Sequence, residues 1–128
     1  MKKEQQEKLN PIAKSMFLDA LRSRAYKQCR GQLKCADIEN GYCAEGLLQL
    51  CYHKATNTEW AILGPTAPGS LLSVKVLEWA GITRDPLLMV QGKLVSLWTI
   101  NDCRPNDGRE IKGPFSFKEI AVMVENQL

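Results

Sequence analysis

Cys43, Cys51 and His53 are the side chains best suited to chemistry, since thiols and imidazole attack, ligate and move protons near neutral pH. They fall in one stretch, residues 40–54, which also holds Tyr42, Glu45 and Tyr52. Cys43, Leu47, Leu50 and Cys51 recur at i, i+4, i+7 and i+8, with Lys54 at i+11. That spacing predicts a helix with both thiols on one face. Asn40-Gly41 reads as the turn before it, which puts Cys43 in the first helical turn. Unpaired backbone N–H groups there favour a thiolate. Cys43 is therefore the candidate reactive thiol of a cysteine-dependent enzyme, with Glu45 or Asp102 as support; otherwise it is a small core residue.

The missing part is a base. The sequence has one histidine, His53. Ten residues along a continuous helix is about 15 Å, so a Cys43–His53 dyad is excluded. His53 reads instead as a surface or helix C-terminal residue. The five cysteines (29, 35, 43, 51 and 103) are odd in number and have no CxxC spacing. They are expected to be free thiols, with no metal site and no cofactor. Paired-carboxylate, serine-triad and metalloprotease patterns are not visible either.

Charge gives a second candidate. Residues 1–34 carry nine Lys/Arg and three acids, while the rest carries eight and eleven. The net charge of +3 thus hides a basic first quarter and an acidic remainder. Such asymmetry suits an anionic partner or head-to-tail association of copies, a homo-oligomer. Within it, Arg22, Arg24, Lys27, Arg30 and Lys34 surround Tyr26 and Gln28. These residues are candidates for binding a partner protein, a small anionic ligand, a nucleotide or a nucleic acid. Asn101-Asp102 is a further polar candidate, unless it is a turn that satisfies its own backbone.

The elements that position these residues can be traced in order. Residues 1–9 are polar and expected to fray or to extend a helix. Asn10-Pro11 is an N-cap with proline at N1, opening a helix to about Ser23 whose buried stripe is Ala13, Met16, Phe17, Ala20 and Leu21. Residues 26–35 alternate weakly, as a strand or an irregular hairpin arm. Thr56-Asn57-Thr58 ends the central helix, residues 59–63 form a short apolar run, and residues 64–69 form a turn cluster. A helix from Ser70 or Ser73 to Ala80 stops at Gly81. Residues 87–95 form a hairpin turning at Gln91-Gly92, and the apolar run continues to Ile100. Asn101-Asp102 opens an irregular loop to Pro114. Ser116-Phe117-Lys118-Glu119 is a capping box with Phe115 and Ile120 at the staple positions. It opens a last helix, with stripe Phe117, Ile120, Ala121, Val124 and Leu128, expected to pack on the central helix. The three tryptophans, 60, 79 and 98, read as core.

The expectation is one α+β domain over residues 1–128, with three to four helices packed around a small antiparallel sheet or hairpin. No apolar run is long enough to span a membrane, and no apolar segment follows the charged N-terminus. A cytoplasmic protein without membrane contact is expected.

Taken in order, Ala20-Leu21-Arg22-Ser23, Tyr26-Lys27-Gln28, Tyr42-Cys43 with Gly46 and Leu48, Glu78-Trp79-Ala80-Gly81, Asn101-Asp102 and Phe117-Lys118-Glu119-Ile120-Ala121 resemble a family of small, uncharacterised bacteriophage and prophage proteins. The resemblance runs from about residue 18 to 126. It departs from the family pattern at Arg24 and Cys29, where glycines are usual, at Ala44, where a second cysteine is usual, and in a longer loop over 103–115. It implies an accessory protein acting in the host cytoplasm, for host takeover or anti-defence, by stoichiometric binding rather than by catalysis.

Overall fold

The computed structural model describes residues 6–60, 64–67, 70–102 and 113–128. The fold is α+β, with α1 (Pro11–Arg22), β1 (Lys27–Gln28), β2 (Lys34–Cys35), β3 (Gly41–Tyr42), α2 (Ala44–Thr56), α3 (Val74–Ala80), β4 (Leu87–Val90), β5 (Lys93–Ser96), α4 (Leu97–Asp102) and α5 (Phe117–Gln127). Cys103 and most of the 103–115 loop, residues 61–63 of the apolar run, and residues 68 and 69 of the turn cluster lie outside the described residues, as do residues 1–5.

Local signals place most boundaries. Asn10 caps α1 by accepting the Ala13 N–H at 2.8 Å, and its side-chain amide donates to the Trp79 carbonyl at 2.6 Å. One residue therefore starts α1 and holds it against the end of α3. Ser73 caps α3, and Gly81 ends it in the left-handed conformation. Gln91 and Gly92 both take positive φ, 52° and 78°, which is the twist a two-residue hairpin between β4 and β5 requires. The capping box at Ser116 and Glu119 is complete in both directions.

β3 lies between the other two short strands, parallel to β1 and antiparallel to β2. The arms of the 29–35 loop are thereby drawn to the same strand. Cys29 and Cys35 reach a Cα separation of 6.5 Å and form a disulfide, so the expectation of free thiols fails for this pair. Residues paired through a third strand leave no spacing signature in the chain. Cys43 and Cys51 are free and buried.

α2 runs through the middle, packed by α1, α3 and α4. Eight of its residues are buried, from Ala44 through Gln49 and then Cys51 and His53. It is enclosed on most sides rather than along one stripe. α5 packs on α1 and β4 rather than on α2, with Phe117, Ile120, Ala121 and Val124 buried. α1 therefore stands between α5 and the central helix. Residues 6–9, expected to fray or to extend a helix, are anchored: Leu9 is buried, Glu7 accepts the Thr83 N–H at 3.0 Å, and Gln6 donates to the Leu87 carbonyl at 3.1 Å. Among the described residues no helix is long and apolar enough to cross a membrane.

Candidate functional site

The N-terminus of α2 is the most tightly determined point in the molecule. Cys43 is the N-cap and not a first-turn residue; its Sγ accepts the Gly46 N–H at 3.3 Å. The 31–33 segment crosses directly above. The Cys43 N–H donates to the Leu33 carbonyl at 3.1 Å, and a Cβ added to Gly46 would lie 1.8 Å from that oxygen. Only glycine lets the two backbones approach this closely. Asn101 secures the same point from α4. Its Oδ1 accepts from the Ala44 N–H at 3.1 Å and from Gln28 Nε2 at 2.8 Å, and its Nδ2 donates to the Cys29 carbonyl at 2.9 Å. Asn101 is fully buried. It ends a helix and ties α4, α2 and β1 together; it does not open a loop or serve as a self-satisfied turn. Its carbonyl accepts Arg30 Nε at 2.9 Å, and Asp102 Oδ1 accepts the Gly31 N–H at 3.1 Å.

Beside this node is a cleft of about 390 Å³ lined by Leu33, Cys43, Leu71, Trp98 and Asp102. A thiol and an acid thus share a cavity, as a cysteine enzyme would need. The electrostatics oppose that use. Burial pushes the Cys43 thiol up to about 12, and the charges of Glu45 and Asp102 push the same way against the helix N–H groups. The N-terminal turn of α2 favours the thiolate, but desolvation outweighs it. At neutral pH the Cys43 thiol therefore stays protonated. Burial likewise raises Cys51 to about 12.

His53 stands in the last turn of α2, the helix C-terminal alternative, but is buried rather than at the surface. Asn57 takes the left-handed conformation at the end of α2 and turns the chain back, so that Thr58 bonds His53 Nδ1 at 3.0 Å and Trp60 lies 5.1 Å from its ring. Gln49 contacts the other ring nitrogen at 3.3 Å. Burial lowers its pKa. His53 is thus a neutral structural residue at the end of α2 remote from Cys43.

The basic segment divides in two. Arg22, Arg24, Tyr26 and Gln28 line a groove of about 620 Å³, and α5 supplies Lys118 and Ser116 across it. Arg22 is ion-paired with Glu125. Arg24 and Lys118 have no ion-pair partner among the described residues. Lys27, Arg30 and Lys34 are exposed outside the groove. Lys34 lies 5.7 Å from the centre of the Trp60 ring and 6.0 Å from that of Tyr42. Tyr26 packs edge-on against Tyr42, and Lys54 donates to its hydroxyl.

Lys118 was not among the sequence candidates, although a signal existed. A lysine in the first turn of a helix opposes the macrodipole, so its placement there points to something other than helix stability. No curated protein and no solved structure matches the chain significantly. Residues 9–128 match the family model described as Domain of unknown function (DUF8296), and the chain belongs to that family.

Proposed function

We propose that the chain is a non-catalytic, phage-type accessory protein that works by stoichiometric binding. The group it grips is anionic, carried by a host protein or a small ligand, in the groove between the end of α1 and the start of α5. The observation that carries this reading is the convergence of Arg24 and Lys118, two cations without ion-pair partners among the described residues, from elements far apart in sequence. Arg22 and the Ser116 hydroxyl add donors and Tyr26 adds an apolar wall, whereas the Gln28 amide is committed to Asn101 and to the Phe115 carbonyl. Guanidinium and ammonium groups in one concave site suit carboxylate or phosphate. The reading of host takeover or anti-defence rests on the resemblance to phage proteins and on this site alone.

Calorimetric titration with inorganic pyrophosphate as the probe tests it. Saturable one-to-one binding is expected, abolished by Arg24→Glu and by Lys118→Glu but not by Lys75→Glu, at an exposed position of α3. Absence of binding, or equal weakening by Lys75→Glu, would remove the groove from consideration.

Binding of nucleic acid is the second reading, favoured by the exposure of Lys27, Arg30 and Lys34 beside the groove. It predicts a steep loss of affinity for a labelled single-stranded oligonucleotide as salt rises, and weakening by reversal of each of those three charges.

A further inference from the structure

Glu45, in the first turn of α2, is fully buried. Its Oε1 accepts the Trp98 backbone N–H at 3.2 Å, whereas Oε2 meets no donor. An orphaned carboxylate oxygen in the interior is costly enough to need an explanation. The explanation is Asp85, also buried, on the segment before β4. Asp85 accepts the Leu71 N–H at 2.8 Å, the Leu72 N–H at 3.3 Å and the Ser70 hydroxyl. Its remaining acceptor capacity meets Glu45. Two facing carboxyl groups bond only if one holds a proton.

Leu71 and Trp98, the residues whose backbone N–H groups are held by the two acids, both line the cleft that Cys43 lines. We propose that Glu45 and Asp85 form a proton-operated clasp that holds the cleft walls at Leu71 and Trp98 closed over Cys43. With the proton in place the chain of bonds is continuous: Trp98 N–H to Glu45, Glu45 O–H to Asp85, and Leu71 N–H to Asp85. Without it two anions meet in a dry site, and Leu71, already half exposed while Leu72 stays in the core, is the wall residue that the repulsion releases. The charged groups that bear on Glu45 are Asp85 and, from α4, Asp102; both favour the protonated form, and burial favours it most. The Trp98 N–H acts the other way. The neighbouring Cys43 thiol is neutral through the same range. Deprotonation of Glu45 is therefore the event that opens the cleft.

The test is the labelling rate of Cys43 by iodoacetamide, read peptide by peptide by mass spectrometry, in the wild-type chain and in Glu45→Gln. Glutamine keeps the acceptor for Trp98 and offers Asp85 an amide N–H that pH cannot remove. Across a pH series taken upward from the ordinary carboxylate range, the wild-type to variant ratio at Cys43 is expected to rise about tenfold or more as Glu45 loses its proton. The same ratio at Cys51 is expected to stay flat. A flat ratio at Cys43, or a parallel rise at Cys51, would overturn the clasp. Should Glu45→Gln not fold, hydrogen exchange of the wild-type chain decides: the Leu71 and Trp98 amides must lose protection with one shared pH midpoint, and separate midpoints or none would refute the clasp.

Discussion

The node at the start of α2 and the groove between α1 and α5 are both built from polar residues that the sequence marks out, yet they are opposite in kind. At the node Cys43 and Asn101 are buried and engaged: Asn101 bonds to β1, to α2 and to the Cys29 carbonyl, and the Cys43 sulfur accepts a helix N–H. In the groove Arg24 and Lys118 face each other's element with no ion-pair partner among the described residues. Polar atoms whose partners are all internal determine the fold, whereas cations left unpaired beside a concavity are available to something else. On the reading proposed above, the thiol-bearing helix is scaffold and the basic groove is the proposed binding site.

Substitutions can break the node in graded ways. The largest effect is expected from Gly46→Ala, because the new Cβ would meet the Leu33 carbonyl and displace the 31–33 crossing. A loss of about 3 kcal/mol or more in chemical denaturation is expected. Asn101→Ala follows, leaving the Ala44 N–H and the Cys29 carbonyl without their buried partner; a loss of about 2–3 kcal/mol is expected by the same measurement. Ser116→Ala removes one cap of α5 and should cost about 1 kcal/mol. The groove predicts the converse pattern. Arg24→Glu and Lys118→Glu should shift stability by less than about 0.5 kcal/mol while abolishing anion binding.

Proton linkage sharpens the same contrast. Glu45 is raised well above the ordinary carboxylate range in the folded chain. Between that range and its raised value the folded chain holds a proton that the unfolded chain has lost, so stability falls as pH rises across the interval. Glu45→Gln lacks this group, and its melting temperature relative to wild type should climb from about pH 5 upward. His53 has the opposite sign. Its lowered value adds stability above the ordinary imidazole range that is lost as pH falls through the folded value, a smaller effect visible as acid sensitivity.

What the sequence revealed and what it hid divide along the range of the interaction. The Asn10-Pro11 start, the Gly81 stop, the Gln91-Gly92 hairpin and the Ser116 box are specified by residues within four positions of one another, and each stands where the pattern places it. The α+β class follows from those elements. The disulfide depends on two arms meeting the same third strand, and the burial of His53 depends on a reversal at Asn57. Asn101 acquires its role from partners 57 to 73 residues away. No local pattern encodes such distances. Of the candidate site, Arg22, Arg24, Tyr26 and Gln28 were legible as a basic aromatic run, but Lys118 joins them only when α5 docks on α1.

The most direct measurement is the affinity of pyrophosphate for Cys43→Ser set beside its affinity for Arg24→Glu. Serine is a good helix cap, so Cys43→Ser removes the thiol and spares the turn. The expected result is wild-type affinity for Cys43→Ser and none for Arg24→Glu. Loss of binding in Cys43→Ser with retention in Arg24→Glu would move function to the cleft and contradict the assignment of scaffold and site.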